Sequence, residues 1–572
     1  MKNIYLFCFL CIAIVKAQNR HPYFVEDSSL LQIPFQHHSY SFFDKEVHLL
    51  QNSHTSVKPY VYTQVDKSKG WVYKKELLKT KKSWGGRKLW NEHLVEVRNK
   101  NYWFNLDVLL NVNAGLENES SETTVENTRI LKFEGQLMNK LAFSFTGTET
   151  QAKFPQFMRE YMLINQPEDA AALIPGRGKA KGFGDSGFDY GISTGYISYQ
   201  LNPLMNFQFG HGQNFIGDGY RSLLLSDVAA PYTYAKLTTT FGKVQYTNIW
   251  TWLKDFNFSI DDTSGGLNAA HKRKYGIFHH LSWNVNSKWN LGFFEGIITD
   301  NNGSSGTLQA EYFNPIIFYK NVEFANGEDG GSGAVGLDSK LKFGKKSHLY
   351  GQFFLDEFTA SEFFSSNGYW ANKYGFQLGV KLFDVLNVKG FTLQAEFNKV
   401  TPFTYSHEEQ HNYAHFGQSL GHLWGANFWE AIFIARYNKA RWSSFAKLIV
   451  GKKGFDFYDA TTGDSNSPSF GGNIFTNTSF RDGDFGHEDL QGNIADILNV
   501  EAEVSYLLNP SNNLKVFASM VLRNFTAESE VTKVGIVPRL KNESLNVTFN
   551  TEQTQWFLLG VKVDLFNEYK DY

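Results

Sequence analysis

The stretch His407-Glu408-Glu409-Gln410-His411 reads as H-E-x-x-H. On a helix that spacing turns two imidazoles toward one zinc ion and sets the glutamate beside the bound water. Downstream, Glu430 could serve as a third ligand, and His415 continues the four-residue series from His407 and His411. The flanks argue against this chemistry. Pro402 favours an extended entry, and the neighbours Tyr405-Ser406 and Asn412-Tyr413 lack the apolar residues a buried zinc helix packs on. Ala414 and Gly417 stand where the longer form of the motif requires glycine and histidine. The expectation is ordinary loop packing, with no catalytic residue and no cofactor. His407, His411 and Glu430 are the weak metal candidates.

The densest polar stretch is FGHGQNFIGDGYRSLLLSD, Phe209 to Asp227. Its glycines suit tight turns, but their spacing is not that of a phosphate-binding loop, and no G-x-G-x-x-G opens a helix after a strand. His211, Asn214, Asp218, Arg221, Ser222 and Asp227 could line a ligand pocket, joined by His415 and Asn427 from a later stretch. The planar fork of Arg221 can grip a carboxylate with two hydrogen bonds, so an acidic sugar fits, with Asp218 or Asp227 orienting the fork when the site is empty. The competing reading is a long loop tied down by its own side chains. The acidic RDGDFGHED from Arg481 lacks full calcium-loop spacing and reads as a solvated outer loop.

The elements that must position these residues are strands. In WFLLGVKVDLF, Phe557, Leu559, Val561, Val563 and Leu565 fall on one face and Gly560, Lys562 and Asp564 on the other. The same period of two recurs about eighteen times from Tyr102 onward, and short connections such as MNK, GK, NSK and NPSNN alternate with long ones at 150–190, 299–335, 400–428 and 452–496. Short turns at one end and long loops at the other are the pattern of an outer-membrane barrel, apolar toward lipid and polar toward the lumen. The composition agrees, with 16% aromatic residues, 49 Gly and 13 Pro.

Lys2 followed by an apolar run from Ile4 to Val15 and then Val15-Lys16-Ala17 predicts a signal peptide over residues 1–17, cleaved near Ala17. Both cysteines, Cys8 and Cys11, fall inside it. The 55 Lys and Arg against 57 Asp and Glu point to no nucleic-acid partner. Residues 18–100 fall outside the strand pattern and read as a partly helical periplasmic or plug segment, before a barrel over 101–572. From Lys67 to Lys88 this segment carries nine basic residues against one acid, Glu76, which reads as a solvated basic face or part of the plug.

Taken with HTSVKPY from His54, GRGKAKGFGDSGFDYG from Gly176, YFNPIIFYKNVE from Tyr312, GQFFLDEF from Gly351 and YAHFGQSLGHLWGANFWE from Tyr413, the Phe209–Asp227 stretch resembles the Wzi-like capsule-assembly outer-membrane proteins. The likeness is greater still to the RemB-type gliding-motility branch, and it spans most of the mature chain. It implies an all-β transmembrane antiparallel barrel of about eighteen strands with a helical periplasmic portion. It further implies a role in binding or assembling surface polysaccharide rather than making it, and, through the gliding branch, motility. It carries over no functional residue.

The expected protein is therefore a non-enzymatic barrel of the cell outer membrane. Its expected partners are surface polysaccharide, outer-membrane lipid and other surface-motility or envelope proteins. The alternatives are a substrate-specific channel and, less favoured, a barrel metalloenzyme using HEEQH. A filled bore favours the anchor and an open bore the channel.

Overall fold

The computed structural model describes residues 30–61, 77–119, 123–164, 172–259, 271–300, 310–316, 331–407, 411–457, 468–536 and 544–572. The signal-peptide reading and Glu408, Glu409 and Gln410 lie outside these residues.

Eighteen antiparallel strands close into one barrel. The first nine are β1 Tyr102–Glu117, β2 Thr123–Leu137, β3 Leu141–Lys153, β4 Gly187–Asn202, β5 Met205–Gly212, β6 Tyr232–Phe241, β7 Val244–Ser259, β8 His271–Asn284 and β9 Trp289–Thr299. The second nine are β10 Ser332–Phe343, β11 Ser347–Glu357, β12 Lys373–Phe383, β13 Phe391–Val400, β14 Phe428–Lys439, β15 Trp442–Phe455, β16 Asn493–Asn509, β17 Leu514–Ile536 and β18 Ser544–Val563. Each pairs with its sequence neighbours, and β18 returns to β1 with Phe557 opposite Leu116. Every strand expected from the alternation is present.

Burial along the strands is the reverse of a soluble protein's. On β1, Val108 and Leu110 are exposed while Asn105 and Asp107 are buried, and on β12 Phe376 and Leu378 are exposed while Gln377 is buried. Charged groups do not bury spontaneously and large apolar side chains do not seek water. The exposed apolar face therefore belongs against lipid, which places the chain in an outer membrane. No helix of the described residues is long and apolar enough to cross a membrane; the strands do so.

At one end the strands are joined by short turns such as 138–140, 242–243 and 344–346, with Gly242 and Gly344 in left-handed backbone that an L side chain would strain. At the other end most of the connections are long.

Several stretches of chain fill the bore. Residues 30–61 carry helices α1 His37–Ser41 and α2 Asp44–Leu49, and their Val57–Lys58 pairs with Phe215–Ile216 of a second stretch, the 213–231 connection. The third is the 401–427 connection, where Ser226 N donates to Leu420 O at 2.7 Å. This corrects the reading of 400–428 as an outer loop: Thr401, Phe403, Tyr405, Tyr413, Leu420 and Trp424 are buried. The fourth is residues 564–572, which follow β18 and turn back into the lumen, where Tyr572 stacks on Tyr161 at 4.4 Å. Tyr161 lies on helix α3, Gln156–Ile164, in a long connection.

Toward the long-loop end the filling is apolar, with Leu223, Leu224, Leu225, Tyr405, Tyr413 and Trp424 packed on inward wall residues Phe278, Phe354 and Ile432. Toward the short turns it is ionic: Lys381 meets Asp44 at 2.9 Å and Lys45 meets Asp384 at 2.5 Å. Adjoining cavities of about 110 and 80 Å³ lie beside residues 567–570, room for a few waters.

Candidate functional site

The 213–231 connection positions most of the predicted polar residues, and it holds them as internal braces. Gly219 approaches so closely that a Cβ there would lie 2.7 Å from both Gln377 Oε1 and Glu396 Oε2. That approach lets Glu396 accept from the backbone N–H of Tyr220 at 2.6 Å and of Arg221 at 3.0 Å.

Arg221 is 1% exposed. Its Nε lies 3.2 Å from Glu430 Oε1 and its Nη2 3.2 Å from Asp571 Oδ2. The rings of Tyr220 and Tyr569 flank the guanidinium at 5.0 and 5.3 Å. Burial works against its charge, but Asp571 and Glu430 outweigh burial and raise its pKa further. Asp218 and Asp227, expected to orient this fork, do not do so. Asp218 meets Lys340 at 3.4 Å, Lys58 at 3.9 Å and Thr55 Oγ1 at 3.1 Å. Burial pushes its carboxyl up, and the two lysines more than reverse that, holding it well below the usual range. Asp227 accepts from Asn567 Nδ2 at 2.6 Å and Tyr569 Oη at 2.8 Å. Burial raises its pKa and these hydrogen bonds only partly offset it.

Ser222 Oγ donates to Ile216 O at 2.5 Å and accepts from the N–H groups of Leu224 and Leu225, which shapes the turn. Asn214 Oδ1 accepts from Lys236 Nζ at 3.1 Å. His415 Nδ1 accepts from the Lys254 N–H at 3.1 Å, and burial, then Lys274, push its pKa down to about 3. Asn427 Nδ2 donates to Gly454 O and Gln491 O at 3.2 and 2.9 Å, tying two connections together. His211 departs from the expected lining. It is exposed, on the outward parity of β5 with Phe207 and Phe209, because that strand continues through Gly212.

The HEEQH histidines have separate acids. His411 Nε2 lies 3.1 Å from Asp300 and His407 Nε2 3.8 Å from Glu357, with the two rings 5.7 Å apart. Glu430, the expected third ligand, is held by Arg221, by His422 Nε2 at 2.6 Å and by Asn398 Nδ2 at 3.0 Å. Among the described residues no group of three His, Cys, Asp or Glu is placed to hold a metal ion.

Sequence reasoning missed Asp571, Tyr569 and Lys447. Lys447 Nζ lies 2.8 Å from Asp571 and 3.0 Å from Glu501, completing the ionic cluster around Arg221. Its inward parity on β15 was a signal; the inward turn of 564–572 left none.

The accessible surface lies at the long-loop end, where the connections 358–372 and 468–492 are zipped together. Trp370 N donates to Asp484 O at 3.0 Å, Gly486 N to Asn367 O at 3.0 Å and His487 N to Gly368 O at 3.0 Å. Arg481 sits 4.0 Å over the Trp370 ring and bonds Asp484, while Tyr369 packs on Phe485 at 5.4 Å. Phe480 and Phe485 are more than half exposed, beside exposed Asp482, Asp484 and Glu488. The segment read as a merely solvated acidic loop is thus half of an ordered aromatic platform.

No family model matches the chain, and no curated protein matches it. Solved outer-membrane barrels do. Wzi of Escherichia coli, an outer membrane protein involved in group 1 capsule assembly and described as a carbohydrate-binding β-barrel, is 11% identical with a TM-score of 0.48, covering 91% of this chain and 97% of its own. OprD of Pseudomonas aeruginosa is 11% identical with a TM-score of 0.38, covering 80% and 94%. OpdK of Pseudomonas aeruginosa, solved with vanillate, is 10% identical with a TM-score of 0.40, covering 81% and 97%.

Proposed function

We propose that this chain is an occluded outer-membrane barrel that holds surface polysaccharide on its long-loop platform and carries out no turnover. The observation that carries the reading is the filling of the bore by 30–61, 213–231, 401–427 and 564–572, tied to one another and to the wall by ion pairs. A channel would need that filling to leave; an anchor needs it to stay. The platform suits sugars, whose apolar faces stack on aromatic rings while their hydroxyls bond to carboxylates. Tyr369, Trp370, Phe480 and Phe485 supply the rings and Asp482 and Glu488 the acceptors. The sequence resemblance to capsule-assembly barrels points the same way, and its gliding branch extends the role to adhesion during surface movement.

Phe480→Ala with Phe485→Ala tests the reading. Cells carrying this variant should keep normal amounts of heat-modifiable barrel and lose most retained capsular or exopolysaccharide, with slower spreading if the cells glide. Unchanged retention at normal abundance would contradict the platform.

A further inference from the structure

Residues 77–92 run along the short-turn rim, and His93 and Leu94 then bond the inward-facing Asp107 of β1 at 2.6 and 2.9 Å. Arg441, in the turn between β14 and β15, donates from Nε to Leu77 O at 2.9 Å and from Nη2 to Trp90 O at 3.2 Å. Asn509 Nδ2 donates to Lys88 O and Glu92 O at 2.8 and 3.0 Å, and Ser511 Oγ to Asn91 O at 2.5 Å. Val95–Arg98 then pairs with the Trp103–Leu106 edge of β1, below the point where β18 leaves it.

The short helix α4 within this stretch, Trp84–Trp90, is capped by Ser83, whose Oγ accepts from the Gly86 N–H at 3.1 Å. It presents Trp84 and Leu89 at 53% and 50% exposure. Between Leu77 and Glu92 stand Lys79, Lys81, Lys82, Arg87 and Lys88 against Glu92 alone. Glu92 is taken by Arg87 at 2.9 Å and Lys88 at 3.1 Å. Lys81 and Lys82 are exposed and have no carboxylate partner among the described residues.

This basic and apolar surface is continuous with the lipid-facing wall. Tyr506 and Trp442 lie on the outward parity of β16 and β15, opposite one another, with rings 5.0 Å apart. Lys79 joins them to the stretch: its Nζ bonds Tyr506 Oη at 2.7 Å and sits 4.1 Å over the Trp90 ring. Tyrosine and tryptophan of a barrel girdle mark headgroup depth, and basic residues at that depth meet anionic phosphate.

We propose that Lys81 and Lys82, with Trp84 and Leu89, form a docking surface for anionic phospholipid headgroups in the leaflet at the short-turn rim. The lysines bind phosphate while Trp84 and Leu89 enter the headgroup boundary. The surface pins residues 77–98 to the membrane, and it stands independently of the polysaccharide reading.

Titration of the detergent-solubilised full chain with phosphatidylglycerol or phosphatidylcholine, read by native mass spectrometry, tests this. Saturable binding is expected for phosphatidylglycerol only. Lys81→Gln with Lys82→Gln should weaken it by roughly 30-fold, whereas Lys140→Gln with Lys243→Gln, on other short turns, should leave it unchanged. Brominated phosphatidylglycerol should quench the wild-type chain more than Trp84→Phe. Equal binding of both lipids, no saturable binding, a double variant that binds like wild type, or an equal loss in the control pair would each overturn the proposal.

Discussion

The bore and the long-loop face differ in what their side chains are free to do. In the bore, Arg221, Glu430 and Asp571 are buried and Asp218 is partly buried, and each is answered by a group from another part of the chain. On the loop face, Phe480, Phe485, Asp482 and Glu488 stand open to solvent on a backbone held by inter-loop hydrogen bonds. The stretch richest in motif-like residues is therefore the one whose chemistry is spent internally. Burying charge demands many partners, so a plugged barrel concentrates histidine, acid and base where no ligand needs them.

The sharpest way to break this contrast is at Arg221. If its partners are Glu430 and Asp571, Arg221→Ala strands two buried carboxylates, leaving them His422 and Lys447. It should cost about 3 kcal/mol, seen as lower barrel abundance and an earlier unfolding midpoint in urea. Arg221→Lys should fall between, since it keeps the charge and loses the fork. A normally stable Arg221→Ala protein with reduced polysaccharide retention would instead make Arg221 a ligand residue and erase the distinction.

Acid should separate the regions next. Burial holds His415 neutral down to about pH 3 and His48 to about pH 4, and it lowers His422 as well. An unfolded histidine takes its proton near pH 6.5. Between those values the unfolded state binds more protons, so stability is lost as pH falls below about 6.5. For His415 that loss reaches about 2 kcal/mol by pH 5. Urea midpoints should thus drop on acidification, and His415→Gln should flatten the profile without touching the loop face. A midpoint independent of pH between 7 and 5 would contradict the buried neutral histidines.

A smaller effect is expected at Trp370, which packs under Arg481. Trp370→Ala removes a cation–π contact of about 1 kcal/mol and should loosen the platform, with partial loss of polysaccharide retention and only a small drop in the urea midpoint. The smallest is His411→Ala. It removes a contact to Asp300 and a ring contact to His407, and it should leave retention, motility and metal content as in wild type. Stoichiometric zinc that survives dialysis of the wild-type chain and disappears in this variant would return HEEQH to the metal reading.

The strands were legible because each alternation is local: Phe391, Leu393, Ala395 and Phe397 need only their own neighbours to declare a face. Loop lengths were legible for the same reason. Partners were not. Glu430 is 209 residues from Arg221, and which acid meets that fork depends on where β14 and residues 564–572 come to lie. His211 shows the limit even of local reading, since one residue of strand length decides whether a side chain meets the lumen or the membrane. The inward course of 401–427 was hidden because a connection of that length reads alike whether it covers a bore or fills it.

The account rests on the bore being closed, and ionic conductance in planar bilayers tests that most directly. Wild-type protein should insert without steady conductance, while a chain lacking residues 564–572, and with them the Asp571 contacts to Arg221 and Lys447, should show frequent openings. Wild-type protein that conducts steadily as an open eighteen-stranded pore would contradict the account and restore the channel.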